Sequence, residues 1–194
     1  MHAVDRSEIL PIGEYELVRD HFRARVIDEK RRRRLRVADR VSVVFENHDT
    51  ALLQIQEMLR TERITREGAI LHELETYNEL VPGDNEVSAT VMIEIDDKPE
   101  REVFLVRAKG LEAKISLVID GERYLGRTTP DRLLVDRASA VIYLKFALSP
   151  HAVSALRDKT KEHAVEIRFD HETFTAVAPL PRAVVASLAE DFEG

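Results

Sequence analysis

The chain of 194 residues contains no cysteine and no tryptophan. The first absence removes disulfides, thiolate zinc sites, iron–sulfur ligation and cysteine nucleophiles together. It also fits a reducing compartment. Only seven glycines are present. They build no Gly-rich phosphate loop and no Gly-x-Ser-x-Gly elbow, so neither a nucleotide cradle nor a hydrolase serine of those types is expected. No window approaches the roughly 18 to 20 apolar residues that a membrane helix needs. The opening residues lack a basic-then-apolar signal pattern. These absences give the expectation of a soluble, cytoplasmic protein without a membrane partner.

What remains is 44% hydrophobic and 34% charged, the balance of a globular chain with a charged surface. Internal repeats, low-complexity stretches and Pro/Gly/Ser linkers are absent, and the length suits one domain over residues 1–194. The net charge of -7 is uneven. Glu14–Arg40 carries a balance of +4, which leaves -11 for the rest. A basic first helix therefore lies beside an acidic body.

Helical spacing of Tyr15, Val18, Phe22 and Val26 predicts a long helix over Glu14–Arg36, with Asp28–Arg32 and Glu29–Arg33 as i,i+4 ion pairs. Val41–Glu46 reads as a strand. Asp49 is placed to cap a helix over Thr50–Glu62, and Thr65 to cap another that runs to about Leu80 and stops at Pro82-Gly83. From Val87 to Ile95 the pattern alternates with period two. Further strands are expected at Val103–Ala108, Lys114–Ile119, Glu122–Gly126, Ala140–Leu148, His163–Phe169 and Phe174–Ala178. Asp120-Gly121 signals a hairpin. Two helices opened by proline, Ser149–Arg157 and Pro181–Phe192, complete the pattern. Helices first and strands after predict α+β, with N-terminal helices (about 14–81) packed on a largely antiparallel sheet built mainly from the C-terminal half (about 85–180), and a closing helix over 181–192.

The chemistry concentrates in Phe45–Ile64. On a helical wheel Thr50, Gln54, Glu57 and Thr61 form one polar stripe, and Gln56, Arg60 and Arg63 a second. Glu57 and Arg60 are spaced to pair at i,i+3. As a site, this would be a pocket wall with Glu57 as acid/base or ligand and Arg60 holding an anion. The plainer reading is a solvated or ion-paired helix face, and it is preferred because paired charges are more often scaffold than catalysis. Glu46, Asn47, His48 and Asp49 crowd a strand-to-helix junction of the kind that binds anions. Capping explains them more simply, with Asn47 tightening the bend.

No metal site is expected. His72 and Glu75 share a helix face but form His-x-x-Glu once, not paired Glu-x-x-His. His163 and His171 flank an expected hairpin and would need ligands from elsewhere. The basic run Arg31, Arg32, Arg33 and Arg34 offers phosphate contacts. It lacks interleaved aromatics in an acidic chain, so a solvated or internally paired face is preferred and nucleic acid is not the expected partner.

The stretch FENHDTALLQIQEMLRTERI, with ELETYNELVPGDNEVSATVMIEI (Glu73–Ile95) and the more generic SAVIYLKFALSP (Ser139–Pro150), resembles the bacterial proteins grouped as domain of unknown function 3501. The likeness spans nearly the whole chain. It implies no assigned activity and no cofactor. The family's genes often lie near those of rubrerythrin-like and iron–sulfur oxidoreductases, which implies a protein partner of that kind. The positions that match are Glu46, Asn47, Asp49, Gln54, Gln56, Glu57, Arg60, Glu73, Tyr77 and Asn78. At His48 relatives are expected to carry another polar residue, often arginine, which argues against a family role for that imidazole.

The leading expectation is a non-catalytic accessory or interaction protein beside redox or oxidative-stress partners. The second is a small-molecule or metal-binding enzyme, its pocket lying between helices 50–62 and 65–80 and lined by Glu46, Asn47, Gln54, Glu57, Arg60, Glu73, Tyr77 and Asn78. The third is phosphate or nucleic-acid binding through Arg31–Arg34. Catalytic residues, cofactor and oligomeric state are left open.

Overall fold

Eight strands in two antiparallel sheets carry the core of the computed structural model, which describes residues 2–129, 132–158 and 160–193. The first sheet has the order β1 (Arg34–Ala38), β2 (Val41–Glu46), β3 (Glu86–Ile93) and β6 (Val141–Ala147). The second has the order β5 (Glu122–Leu125), β4 (Ile115–Ile119), β7 (Val165–His171) and β8 (Phe174–Pro179). Their inward faces share one cluster that includes Val43, Phe45, Ala89, Val91, Leu144 and Phe146 from one sheet and Ile115, Leu117, Ile167 and Phe169 from the other. Alternate residues point inward because strand side chains have period two.

The sheets are stitched at one edge. Gly126 donates to Ile115 O at 2.9 Å, and the next residue, Arg127, exchanges two backbone hydrogen bonds with Lys145 on β6, each 2.9 Å. A Cβ at Gly126 would meet Phe146, Ile115 O and Leu144 at 3.1–3.2 Å, so any side chain at this close crossing would force its neighbours to give way. At the other edge β1 lies beside β8. With contacts at both edges, the two sheets form a nearly closed double layer.

The helices α1 (Ile12–Arg32), α2 (His48–Thr61) and α3 (Glu67–Asn78) form a second layer. Ala51, Ile55, Leu59, Ile70 and Leu74 make a separate apolar cluster with Leu80, Val81 and, from the N-terminal segment, Val4 and Ile9. Tyr143 of β6 packs against it, so this layer covers the outer face of the first sheet. Every residue of β2 is consequently buried. The order of helices and strands agrees with the expected α+β class.

Several local expectations are corrected. The first helix ends at Arg32 rather than Arg36, because Arg-Leu-Arg-Val-Ala alternates and forms β1 with Leu35 inward. Val103–Ala108 lies mostly in α4 (Lys98–Arg107), not in a strand. Asp97 caps that helix through Glu100 N at 2.8 Å, and Leu105 and Ala108 face the core while Val103 and Val106 stay exposed. Asn47, not Asp49, caps α2, accepting from Thr50 N at 3.0 Å. Thr65 does not cap α3, which begins at Glu67 without a side-chain cap. The expected closing helices appear as α5 (Pro150–Arg157), capped by Ser149, and α6 (Arg182–Glu190). The His163–Phe169 strand is β7, displaced to Val165–His171.

Candidate functional site

The N-terminal segment 2–10 lies across α2 and α3, and polar side chains of those helices hold it by its backbone. Gln56 is buried; its Oε1 accepts from Leu10 N at 2.6 Å and its Nε2 donates to Leu10 O at 3.2 Å. Asn78 does the same for Val4, at 2.8 Å from the N–H and 2.9 Å to the carbonyl. These primary amides stand in for a neighbouring strand, satisfying backbone groups that would otherwise be orphaned. Arg6 forks onto Glu67 with contacts of 2.8 and 2.9 Å. Val4 and Ile9 supply the apolar anchors.

A similar clasp joins α1 to α2. Arg19 forks onto Glu57 with two contacts of 2.8 Å, and the Tyr15 hydroxyl donates to the same carboxylate at 2.8 Å. The Arg19 hydrogen bond holds the Glu57 carboxyl below its usual range against the opposing effect of burial, and Tyr15 adds to it. Burial, followed by the neighbouring Glu57 carboxylate, pushes the Tyr15 hydroxyl upward. Arg60 bonds Glu16 at 2.7 Å. The expected Glu57–Arg60 pair is therefore corrected: each side chain reaches across to α1 instead.

The remaining residues of the expected pocket are dispersed. Glu46 sits buried on the outer face of β2, accepting from the Thr90 hydroxyl at 2.6 Å with Lys30 Nζ 3.8 Å away. Asn47 caps α2 and donates to Glu29 at 3.2 Å. Gln54 reaches the Tyr77 hydroxyl, near Glu73. The seam between α2 and α3, where a polar pocket was expected, is packed with Ile55, Leu59, Ile70 and Leu74. The groove beside α2 runs on its α1 side. It is an opening of about 260 Å³ lined by Tyr15, Val18, Phe22, Leu52, Gln56 and Glu8, among others.

The arginine run is likewise split. Arg33 is fully buried. Its guanidinium donates to Phe45 O at 2.9 Å and to Ser187 O and Oγ at 3.0 Å, and it pairs with Asp191. Arg32 turns to Glu29 and Arg34 to Glu94 and Ser42. Arg31 is exposed. The four side chains do not form one phosphate-binding face.

Two features escape the sequence. One is a cleft of about 320 Å³ at the stitched edge, lined by Glu79, Glu86, Arg127, Arg132, Tyr143 and Lys145, among others. Arg132 stacks 4.7 Å above the Tyr143 ring. The other is the meeting of His2, Glu8 and His48, residues that no spacing rule joins because the chain must fold back over α2 to bring them together. The three are of ligand-forming types, each with one ligand atom within 4.8 Å of the others, and they form no helical motif. His72 and Glu75 on α3 are exposed. His163 pairs with Asp120 at 2.6 Å, and His171 bonds Lys109 O at 2.9 Å.

A family model described as "Protein of unknown function (DUF3501)" matches residues 3–192. The fold is similar to that of a crystal structure of a novel protein of unknown function from Burkholderia pseudomallei K96243. The TM-score is 0.91 at 31% identity, over 99% of this chain and 100% of that one. No curated protein matches. Among the described residues no helix is long and apolar enough to cross a membrane.

Proposed function

The chain belongs to the DUF3501 family, and from that premise we propose that it is a non-catalytic accessory or interaction protein of the bacterial cytoplasm, serving a redox or oxidative-stress partner. The observation that supports this reading best is the fate of Glu57. It was the strongest acid/base candidate, yet Arg19 and Tyr15 engage its carboxylate and keep it ionised. A general acid or base needs a pKa near the working pH and a path to substrate. Glu57 has moved the opposite way. Gln56 and Asn78, the best hydrogen-bonding groups of the same helices, are spent on the chain's own backbone.

The partner class comes from the family resemblance, and the absence of cysteine agrees with a chain that does not itself carry an iron–sulfur centre. Titrating the purified chain calorimetrically into a rubrerythrin-like protein, and separately into an iron–sulfur oxidoreductase of the class that the resemblance implies, tests the reading. Saturable binding to one of them is expected. Heat of dilution alone for both would overturn it.

A second reading, small-molecule binding, is favoured by the 320 Å³ cleft, whose cations Arg127, Arg132 and Lys145 face Glu79 and Glu86. Such mixed charge suits a small zwitterion or anion. Lys145→Ala lowering the affinity for a captured metabolite would support it. Unchanged affinity would place the ligand elsewhere.

A further inference from the structure

The geometry points to a binding site for one divalent first-row transition-metal ion, held by His2, Glu8 and His48. The inference goes beyond the accessory reading and does not depend on it. Each of the three residues offers one ligand atom, and these atoms all lie within 4.8 Å of one another. Ligands around a tetrahedral ion at ~2.1 Å would stand roughly 3.4 Å apart. Closing the difference asks only for rotation of side chains, and His2 is exposed and free to rotate.

The plainer account is a Glu8–His48 ion pair, since His48 Nε2 lies 3.1 Å from Glu8 Oε2. Two observations go beyond that account. A second imidazole, His2, approaches the first with ring centroids 5.0 Å apart, which an ion pair does not require. The other nitrogen of His48 is also committed: Nδ1 lies 3.4 Å from Asp49 Oδ1, and Asp49 is itself fixed by Arg25. With an ion bound, the Nδ1 proton would be shared with that carboxylate and the Nε2 lone pair would be given to the metal. Imidazole ligands are commonly oriented by an outer carboxylate in this way.

The local fold presets the rest. Asp5 caps the turn Arg6–Glu8, the Asp5 N–H bonds Glu8 Oε1 at 2.7 Å, and both carboxylate oxygens face His48 Nε2, at 3.2 and 3.1 Å. Gln56, Asn78 and the Arg6–Glu67 fork fix the segment on which His2 and Glu8 ride. Two imidazole nitrogens and one carboxylate oxygen select zinc, iron(II), cobalt(II) or nickel(II) over magnesium or calcium. Three protein ligands leave coordination positions open to water or to a small anion. Because the ion would tie the N-terminal segment to α2, it would stabilise the fold by mass action.

The test uses the full chain without an affinity tag, with Co²⁺ as the spectroscopic probe and Zn²⁺ by calorimetry. One equivalent of Co²⁺ with ligand-field absorption in the visible is expected, together with a rise in melting temperature. His2→Ala, at an exposed position that cannot unfold the core, should weaken Co²⁺ at least tenfold. His48→Ala should weaken it at least a hundredfold. His151→Ala, on the exposed side of α5, should change nothing. Failure of the wild-type chain to bind one equivalent would overturn the assignment, and so would binding that survives both His2→Ala and His48→Ala.

Discussion

Gln56 grips Leu10 by both of its backbone groups, accepting at 2.6 Å and donating at 3.2 Å. A buried amide so placed turns a loose segment into part of the fold. Gln56→Ala would leave the two Leu10 groups without their partner and open a small void. The expected cost is about 1–3 kcal/mol, read as a lower urea midpoint at unchanged m-value. Asn78→Ala should behave alike at Val4. The two variants should also speed proteolytic clipping within residues 2–10 far more than unfolding of the core.

The Arg19–Glu57 clasp predicts a dependence on pH. The folded Glu57 carboxyl is held below its unfolded value by Arg19 first and Tyr15 after, with burial opposing. Its contribution is therefore present above the unfolded pKa, near 4.3, and is lost as pH falls through the lowered folded value. Wild type should lose stability across that acid range more steeply than Glu57→Gln. For Arg19→Ala with Glu57→Ala, a double-mutant cycle at pH 7 should give a small favourable coupling that weakens with added salt, since both side chains remain partly solvated.

Arg33 and Arg31 should part company although they are two residues apart. Removing the buried Arg33 guanidinium leaves Asp191, Ser187 O and Phe45 O unpaired. Arg33→Met should cost about 3–5 kcal/mol. Arg33→Lys should recover little, because an ammonium cannot reproduce the fork. Arg31→Ala should stay within about 0.5 kcal/mol. Thermal denaturation of the three variants decides it.

At the stitched edge, Gly126→Ala would press a methyl against Phe146 and Ile115 O. Overpacking of this kind should destabilise by about 1–3 kcal/mol. Gly13→Ala, which meets nothing within 4 Å, is the matched control.

Much of the fold was legible because its signals are local. Asp120-Gly121 turned where expected, joining β4 to β5, with both residues at positive φ. Ser149 capped α5 and the period-two run became β3. The errors have a common source. Val-Phe-Leu-Val within α4 has the composition of a strand, and only packing of Leu105 and Ala108 against the core shows otherwise. Glu57 and Arg60 had suitable spacing for each other, yet α1 supplied better partners 38 to 44 residues away. The surroundings of the candidate site residues were hidden for the same reason. Gln56 and Asn78 stood out as polar groups, but nothing in their spacing says that the chain's own beginning would occupy them. His2 and His48 are 46 positions apart and meet only because that beginning is docked.

Amide hydrogen exchange at Val4 and Leu10 tests this docking most directly. The account predicts strong protection of both amides in the wild-type chain, lost at Leu10 in Gln56→Ala and at Val4 in Asn78→Ala while β2 and β3 stay protected. Exchange of both at the rate of an unstructured peptide in the wild-type chain would contradict it, and the metal site would fall with it.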